Sequence, residues 1–141
     1  SERVNYEKKT RSVRTSAGSK ETSTYLRNLY TNEDDEQVCQ LCHDVMPFRK
    51  RDGNFYFDAV EVVRGLERER NEAYLGLCPT CAAKYKEFVK RDPKVNENLV
   101  EDILESEENT VLVELGDNTA ELRFVDSHFH DLKVLLSTTE E

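Results

Sequence analysis

Large apolar side chains first recur with a regular spacing near residue 25. Four of them share one helical face in the stretch YLRNLY: Tyr25, Leu26, Leu29 and Tyr30. Ser23 or Thr24 precedes this stretch and is a good N-cap. Residues 1–22 are rich in Ser, Thr, Lys and Arg and have few large apolar side chains, so they cannot bury enough surface to offset chain entropy. We therefore predict a flexible basic arm or linker over 1–22, followed by a short helix.

The stretch DVMPFRKRDGNFYFDAVEVV has the alternation and the turn residues of a β-hairpin. It predicts a short strand near 45–48, a turn at Asp52-Gly53 and a longer strand over 55–63. Residues 64–74 are polar and predict a loop or a short helical turn.

The stretch LGLCPTCAAKYKEFVKRDP predicts a helix. Pro79 suits the first helical turn and Pro93 ends the element. Tyr85, Phe88 and Val89 have the i, i+3, i+4 spacing of an apolar helical face.

The last third of the chain adds three elements. NENLVEDILESEE predicts an acidic helix that turns its Leu, Ile and Val side chains inward, and TVLVELGDNTAELRFV predicts a second hairpin around 116–118. SHFHDLKVLL predicts a closing helix capped by Asp126 or Ser127. The order α, ββ, α, α, ββ, α predicts an α+β fold.

The four cysteines form two Cys-x-x-Cys pairs, Cys39 with Cys42 and Cys78 with Cys81. Each such turn directs two sulfurs to one point, so two turns supply the four soft ligands of a tetrahedral zinc site. The first pair precedes the predicted hairpin, and the second opens a predicted helix whose N-terminus favours thiolates. We therefore predict one structural Zn²⁺ bound by these four cysteines. The order of turn, hairpin and helix is the layout of a treble-clef zinc finger.

Other uses of the cysteines are less consistent with the chain. A redox pair needs a βαβ setting that neither pair has, and burial of four thiols as small apolar residues does not account for two identical spacings. VCQLCH also matches the pattern for c-type haem attachment, but we expect no export signal because the N-terminus lacks an apolar core, and haem would leave Cys78 and Cys81 unexplained. We expect His43 to be a bystander, or at most to lie near the sulfurs without binding the metal.

The segments VCQLC, RDGNFYFDAVEVV and LGLCPTCAAKY together resemble the HNH endonuclease module, over roughly residues 38–89. In that family a Cys pair precedes a strand that carries adjacent catalytic His residues, and a second Cys pair opens the helix on the metal side. One His activates water and a neighbouring one helps to hold a catalytic cation. The matching strand here reads AVEVV and contains no His, and Ala82 follows Cys81 where the family often has His. The resemblance therefore implies the scaffold and its zinc site without the nuclease chemistry.

The remaining histidines lie far beyond the predicted finger. His128 and His130 have an i, i+2 spacing that puts them on different sides of a helix, so we expect them to be capping and surface groups. An HNH-family nuclease with atypical catalytic residues would need Glu61, Asp58 and one of these histidines to converge around a second metal. No spacing supports that convergence, so we predict no catalytic residue.

Charge is distributed unevenly along the 141 residues, whose formal net charge is −9. Residues 1–20 carry +4, whereas residues 96–141 carry −11. The acidic last third argues against nucleic-acid binding over the whole surface. Only 37% of the residues are hydrophobic, so a metal that adds stability is expected. Paired cysteines, and no apolar run near the roughly 18 residues of a membrane span, predict a cytoplasmic protein with no membrane contact.

Two functions remain open for such a module. The basic side chains available to contact DNA or RNA are Arg49, Lys50 and Arg51 at the hairpin tip and Lys84, Lys86 and Lys90 on the finger helix. Phe55 or Tyr56 would stack on a base. A protein-interaction or structural role would instead use the acidic segment 97–121 to dock a basic partner.

The stretch YLRNLYTNEDDEQVCQLC and the acidic segment also resemble zinc-binding C-terminal regions of large multidomain bacterial proteins. This resemblance implies a module of a longer protein, whose other domains are candidate partners. The chain then divides into the arm 1–22, a zinc-binding HNH-like module over 23–95, and an acidic α-ββ-α segment over 96–141 packed on that module.

Overall fold

The structure, a computed structural model, describes residues 20–140 of the chain. Its helices and strands are α1 (Lys20–Tyr30), β1 (Asp58–Glu61), β2 (Tyr74–Leu77), α2 (Pro79–Tyr85), α3 (Pro93–Glu105), β3 (Thr110–Leu115), β4 (Asn118–Arg123) and α4 (Asp126–Glu140). A 3-10 turn at Asn71–Ala73 precedes β2, and a π-helical turn at Lys86–Lys90 continues α2. Four helices and two antiparallel hairpins in this part of the chain make an α+β fold, as predicted.

Helix α1 begins at Lys20, inside the segment that was predicted to be a flexible arm. Its Leu26 is fully buried, and Thr22 is almost fully buried, with its hydroxyl donating to Asn71 Oδ1 at 2.8 Å. That bond ties the start of the helix to the turn before β2, which is why α1 extends further back than its apolar pattern. The rest of the predicted arm, residues 1–19, lies outside the described residues.

The first hairpin differs from the predicted one. Strand β1 pairs antiparallel with β2, whereas the sequence analysis paired 55–63 with 45–48. The predicted turn exists as a tight tip, with Gly53 at φ 93° and an isolated bridge between Arg49 and Phe55. Strand β2 escaped prediction because all four of its residues are buried, so it shows no alternation of apolar and polar side chains.

The helix after β2 is interrupted by the π-helical turn. Tyr85 and Val89 are fully buried, as predicted, but Phe88 is 42% exposed. A π turn holds more residues than an α turn, so it rotates Phe88 away from the face that the other two share. Pro93 ends this helix as predicted, and it also opens α3 at the first helical position, with Asp92 as the cap.

The second hairpin is confirmed. Strands β3 and β4 pair along their full length and are joined by Gly116-Asp117. Gly116 has a φ of 74°, which the first loop position of a type II′ turn requires. Because β3 alternates between buried and exposed positions, Val111, Val113 and Leu115 enter the core while Leu112 faces outward.

The closing helix α4 is also present, but the expected surface position of His128 is wrong. The ring is fully buried between Tyr30 and Phe124. Its Nε2 donates to the carbonyl oxygen of Glu72 at 3.1 Å, so Nδ1 accepts the hydroxyl proton of Tyr30 at 2.6 Å. These two partners offset the cost of burying a polar ring. The sequence around His128 does not identify either partner. His130 is exposed, as expected.

One cluster of buried side chains runs through the described residues. It contains Leu26, Leu75 and Tyr85 from the first part of the chain and Leu122 and Leu132 from the last third. The elements α3 to α4 therefore pack on the cysteine-bearing part through apolar contacts, and most of their acidic residues face solvent.

Candidate metal centre

The first cysteine pair lies in a tight turn held by backbone hydrogen bonds. The N–H of Cys39 donates to the carbonyl of Asp44 at 2.9 Å, and the N–H of His43 donates to the carbonyl of Cys39 at 3.0 Å. His43 has a φ of 70°, a left-handed conformation that reverses the chain directly after Cys42. The turn buries Cys39 and leaves Cys42 at the surface.

The second pair lies at the junction of β2 and α2. Cys78 directly follows the strand and caps the helix, where its Sγ accepts the N–H of Cys81 at 3.5 Å. Pro79 occupies the first helical position, which needs no N–H donor. The strand and the helix thus fix both sulfurs relative to the core.

All four sulfurs converge. The Sγ atoms of the four cysteines lie within 4.8 Å of one another, and those of Cys42 and Cys78 are 4.0 Å apart. A tetrahedral site with metal–sulfur bonds of about 2.3 Å has sulfurs about 3.8 Å apart. The cluster is therefore slightly expanded relative to a closed tetrahedral thiolate site, and small side-chain rotations bring it to the required size. The four sulfurs can hold a metal ion.

Backbone amides point at the sulfurs as well. Cys39 Sγ accepts the N–H groups of Leu41 and Cys78, each at 3.4 Å. Hydrogen bonds of this kind favour the thiolate over the thiol, and the thiolate is the form that binds metal. The donor set and its surroundings both fit a soft divalent cation.

The thiols respond differently to their surroundings. Although the Cys42 residue lies at the surface, its thiol is partly desolvated by the surrounding atoms, which raises its pKa to about 11. Burial together with the neighbouring Cys39 sulfur raises the pKa of Cys81. Burial also opposes ionisation of Cys78, but hydrogen bonds from the Cys81 N–H and from the adjacent thiols outweigh it and lower its pKa. Cys42 and Cys81 are thus protonated at neutral pH unless a cation compensates their charge, so metal binding releases protons.

Neither ring nitrogen of His43 belongs to the sulfur cluster. Its Nε2 donates to the carbonyl oxygen of Glu121 in β4 at 2.7 Å. The residue therefore joins the first cysteine turn to the second hairpin, a role that its position in the Cys-x-x-Cys-His pattern did not suggest.

The side chains of a hypothetical second metal site have separate partners. Glu61 Oε1 pairs with Lys90 Nζ at 2.7 Å, Asp58 accepts the hydroxyl of Tyr56 at 3.1 Å, and His128 is held in the core. Within residues 20–140, the four cysteines are the only group of three or more His, Cys, Asp or Glu side chains that converge closely enough to share an ion.

The six basic residues considered for nucleic-acid contact fall into two groups. Three of them have partners inside the fold: Arg49 lies 4.2 Å from the Phe55 ring and donates to two carbonyls, Lys50 lies 3.6 Å from Asp52, and Lys90 pairs with Glu61. The other three, Arg51, Lys84 and Lys86, have exposed side chains. Arg49 and Lys50 are exposed as well, and Lys90 is the one held in a partly buried ion pair.

Sequence reasoning missed two polar residues. Gln40, between the first two cysteines, is 2% exposed; its Nε2 donates to the Arg123 carbonyl at 2.7 Å and its Oε1 accepts the Gly76 N–H at 2.8 Å. Arg27 of α1 lines a cleft beside the hairpin tip. No motif specifies the residue type at either position, so only the tertiary fold identifies them.

Comparison of the chain with protein-family models, with curated proteins and with solved structures finds no match. Within residues 20–140, none of the helices combines the length and the apolar character needed to cross a bilayer. The four-cysteine cluster is thus the feature of the described residues that indicates a function most directly.

Proposed function

We propose that this chain is a structural-zinc module that acts as a recruitment domain of a larger protein. The convergence of four sulfurs on one point carries the zinc assignment, because an all-thiolate, tetrahedral donor set selects Zn²⁺ over hard cations such as Mg²⁺ or Ca²⁺. Four protein ligands close the coordination shell and leave no position for a substrate. A reducing, cytoplasmic compartment keeps the thiols available for the metal.

The scaffold is proposed to be treble-clef-like and similar to the HNH module, without its nuclease chemistry. Support comes from the order of elements: a cysteine turn, an antiparallel hairpin, and a helix whose cap is the third cysteine. The segment that matches the catalytic strand contains β1, where Val60 is 2% exposed and the Glu61 carboxylate is paired with Lys90. Neither side chain can activate water in that environment.

Recruitment is favoured by a groove between α3 and β3. It encloses ≈ 400 Å³ and exposes Phe88 and Leu112, which are 42% and 64% accessible, while Asp102 and Glu114 lie on its rim. Residues 96–141 carry a formal charge of −11, so the rim attracts positive charge. The occupant we propose is a basic segment of a protein partner that inserts an apolar side chain between Phe88 and Leu112.

Nucleic-acid binding is the second candidate. Its support is the exposure of Arg51, Lys84 and Lys86, together with the +4 charge of residues 1–20. This candidate predicts affinity that falls steeply with added salt, whereas apolar docking predicts affinity that depends on Leu112 and much less on salt.

Metal content tests the zinc assignment. We expect one Zn²⁺ per chain by elemental analysis, and we expect Cys78→Ser to lose both the zinc and the folded structure, because apparent zinc-binding free energies of about 10–16 kcal/mol match or exceed the net stability of a domain. Thr80→Ser, in the same helical turn, is the matched control and should keep both. A Cys78→Ser protein that folds normally without bound metal would contradict the structural role.

Two peptides of equal charge test the groove. A peptide of alternating Lys and Leu should bind, and a peptide in which Leu is replaced by Ser should not. Leu112→Thr should weaken binding about tenfold, since it removes most of one buried apolar side chain. Val134→Thr removes a similarly exposed apolar side chain from α4 and should have no effect. Equal binding of both peptides, or no loss in Leu112→Thr, would rule out docking in this groove.

A further inference from the structure

A second recess lies between α1 and the loop that contains Gly53. It encloses ≈ 290 Å³ and is lined by side chains of both signs and by aromatic rings. The charged residues are Lys20, Arg27, Lys50 and Asp52, and the rings include Phe55 and Tyr56. We call this recess the cationic cleft, because three of its four charged side chains are positive.

Arg27 is the residue that distinguishes the cleft from an ordinary polar surface. Its Nε is buried and has no hydrogen-bond partner among the described residues. Buried donors are almost always paired, and an unpaired donor on a charged group is especially costly. Nε itself is closed to a ligand, but the Arg27 side chain lines the cleft, so an anion there would compensate the guanidinium charge and form charge-assisted hydrogen bonds of the stronger kind.

The second cation of the cleft is only loosely engaged. Lys50 Nζ lies 3.6 Å from Asp52 Oδ2, beyond the distance of a direct charge-assisted bond, and the two side chains are 43% and 57% exposed. Exposed ion pairs of this kind contribute little stability. Lys50 can therefore exchange Asp52 for another anion at little cost, and Asp52 acts as a competitor for the same cations.

The aromatic wall is held in place by its own contacts. Tyr56 lies parallel to Phe48, with ring centroids 5.3 Å apart, and Arg49 covers the Phe55 ring at 4.2 Å. Rings that are already fixed lose little conformational freedom when a flat ligand packs beside them. Cations next to fixed aromatic rings match the two parts of a nucleotide, its phosphate and its base.

We propose that the cationic cleft binds a nucleotide phosphate, with Arg27 and Lys50 contacting the phosphate and the base lying against the aromatic wall. The phosphate can belong to a free nucleotide or to a single-stranded nucleic acid. This inference deepens the nucleic-acid candidate above, and it is independent of the groove between α3 and β3. It differs from the sequence-based assignment in using Arg27, and in using neither Lys84 nor Lys86.

The test is a fluorescence-anisotropy titration of the zinc-loaded full chain with a labelled twelve-nucleotide oligothymidylate in low and high salt. Arg27→Met should weaken binding at least about tenfold, because it removes hydrogen bonds to a charged group, and it should reduce the salt dependence by about one phosphate contact. Lys84→Met makes the same change of charge outside the cleft and should stay within about twofold of the wild type. Circular dichroism checks that both variants fold.

A variant that is expected to bind more tightly separates the loss of a contact from a loss of folding. Asp52→Asn removes the competing carboxylate from an exposed position and should tighten binding a few-fold. Glu33→Gln makes the same change of charge at an exposed position that does not line the cleft, and it should have a smaller effect. Competition with adenosine monophosphate distinguishes the sources: displacement of the oligonucleotide at equal nucleotide concentration assigns the cleft to free nucleotides, and weak displacement assigns it to the strand.

Two results would overturn the proposal. If Lys84→Met weakens binding as much as Arg27→Met and Asp52→Asn does nothing, nucleic acid binds to the finger helix and the cleft is not the site. If neither the oligonucleotide nor adenosine monophosphate binds at low salt, the cleft and the nucleic-acid candidate both fail, while recruitment through the groove remains testable by the peptides.

Discussion

Gln37 and Gln40 provide a matched test of what holds the first cysteine turn in place. Both side chains are buried, at 1% and 2% exposure, and they are three residues apart. Gln40 uses both ends of its amide, with the Arg123 carbonyl and the Gly76 N–H as partners. Gln37 has no partner for either Nε2 or Oε1 among the described residues. The same substitution should therefore change stability in opposite directions at the two positions.

Methionine is the appropriate replacement, since it is unbranched, similar in size to glutamine and without strong hydrogen-bonding groups. Gln40→Met leaves a buried N–H on Gly76 and a partly buried carbonyl on Arg123 unpaired. At about 1–3 kcal/mol for each group, with the lower value for the partly buried carbonyl, the loss is about 2–4 kcal/mol. Gln37→Met removes an unpaired buried amide and should stabilise the protein by about 1–3 kcal/mol.

Urea unfolding, followed by circular dichroism at pH 7 with excess zinc, measures both effects. Zinc is kept saturating because a ligand bound only by the folded state adds to the apparent stability. The slope of the free energy with urea should not change, so the midpoint reports the difference. Two shifts of the same sign, or a Gln40→Met protein as stable as the wild type, would refute the assignment of these hydrogen bonds.

Two further predictions concern buried and constrained positions. Burial lowers the pKa of His128 to about 4, below its unfolded value of about 6.5. The neutral ring therefore contributes its full stability above pH 6.5. About 3 kcal/mol of the free energy of unfolding is lost as the pH falls toward 4. Unfolding measured from pH 7 to pH 4 should show a shallower decline in His128→Gln than in the wild type, and equal declines would contradict the burial of a neutral ring. Gly116→Ala and Gly53→Ala both force alanine into a positive φ, which costs about 1–3 kcal/mol at each position. A Cβ at Gly116 would also lie 3.1 Å from Phe88, whereas a Cβ at Gly53 would face open space. Urea midpoints should therefore fall further for Gly116→Ala, and the reverse order would be inconsistent with the contact to Phe88.

Local patterns were sufficient wherever neighbouring residues alone determine the structure. The alternation in β3 and β4 and the glycine at 116 specify the second hairpin without any distant contact. The two Cys-x-x-Cys spacings specify two turns, and the structure brings all four sulfurs together. The spacings do not determine which metal is bound, because zinc is inferred from the donor chemistry.

The elements that failed prediction depend on distant contacts. Strand β2 shows no alternation of apolar and polar residues because the core covers both of its faces. The sequence therefore predicts the wrong pairing partner for β1. His128 is buried because Tyr30 and Glu72, far away in sequence, satisfy its ring nitrogens. Phe88 is exposed because a π turn changes the helical register, which propensity does not anticipate.

The metal centre and the proposed docking surface are mechanically connected. Gln40 bonds to the backbone of Arg123 through its side-chain amide and its own carbonyl, and His43 bonds to the carbonyl of Glu121. Both contacts are made to β4. This strand pairs along its whole length with β3, the strand that presents Leu112 to the groove. A metal that fixes the first cysteine turn therefore also fixes the edge of the hairpin on which the groove depends. Docking in the groove should consequently depend on a metal that the docked partner does not contact, because part of the metal-binding free energy would stabilise β4.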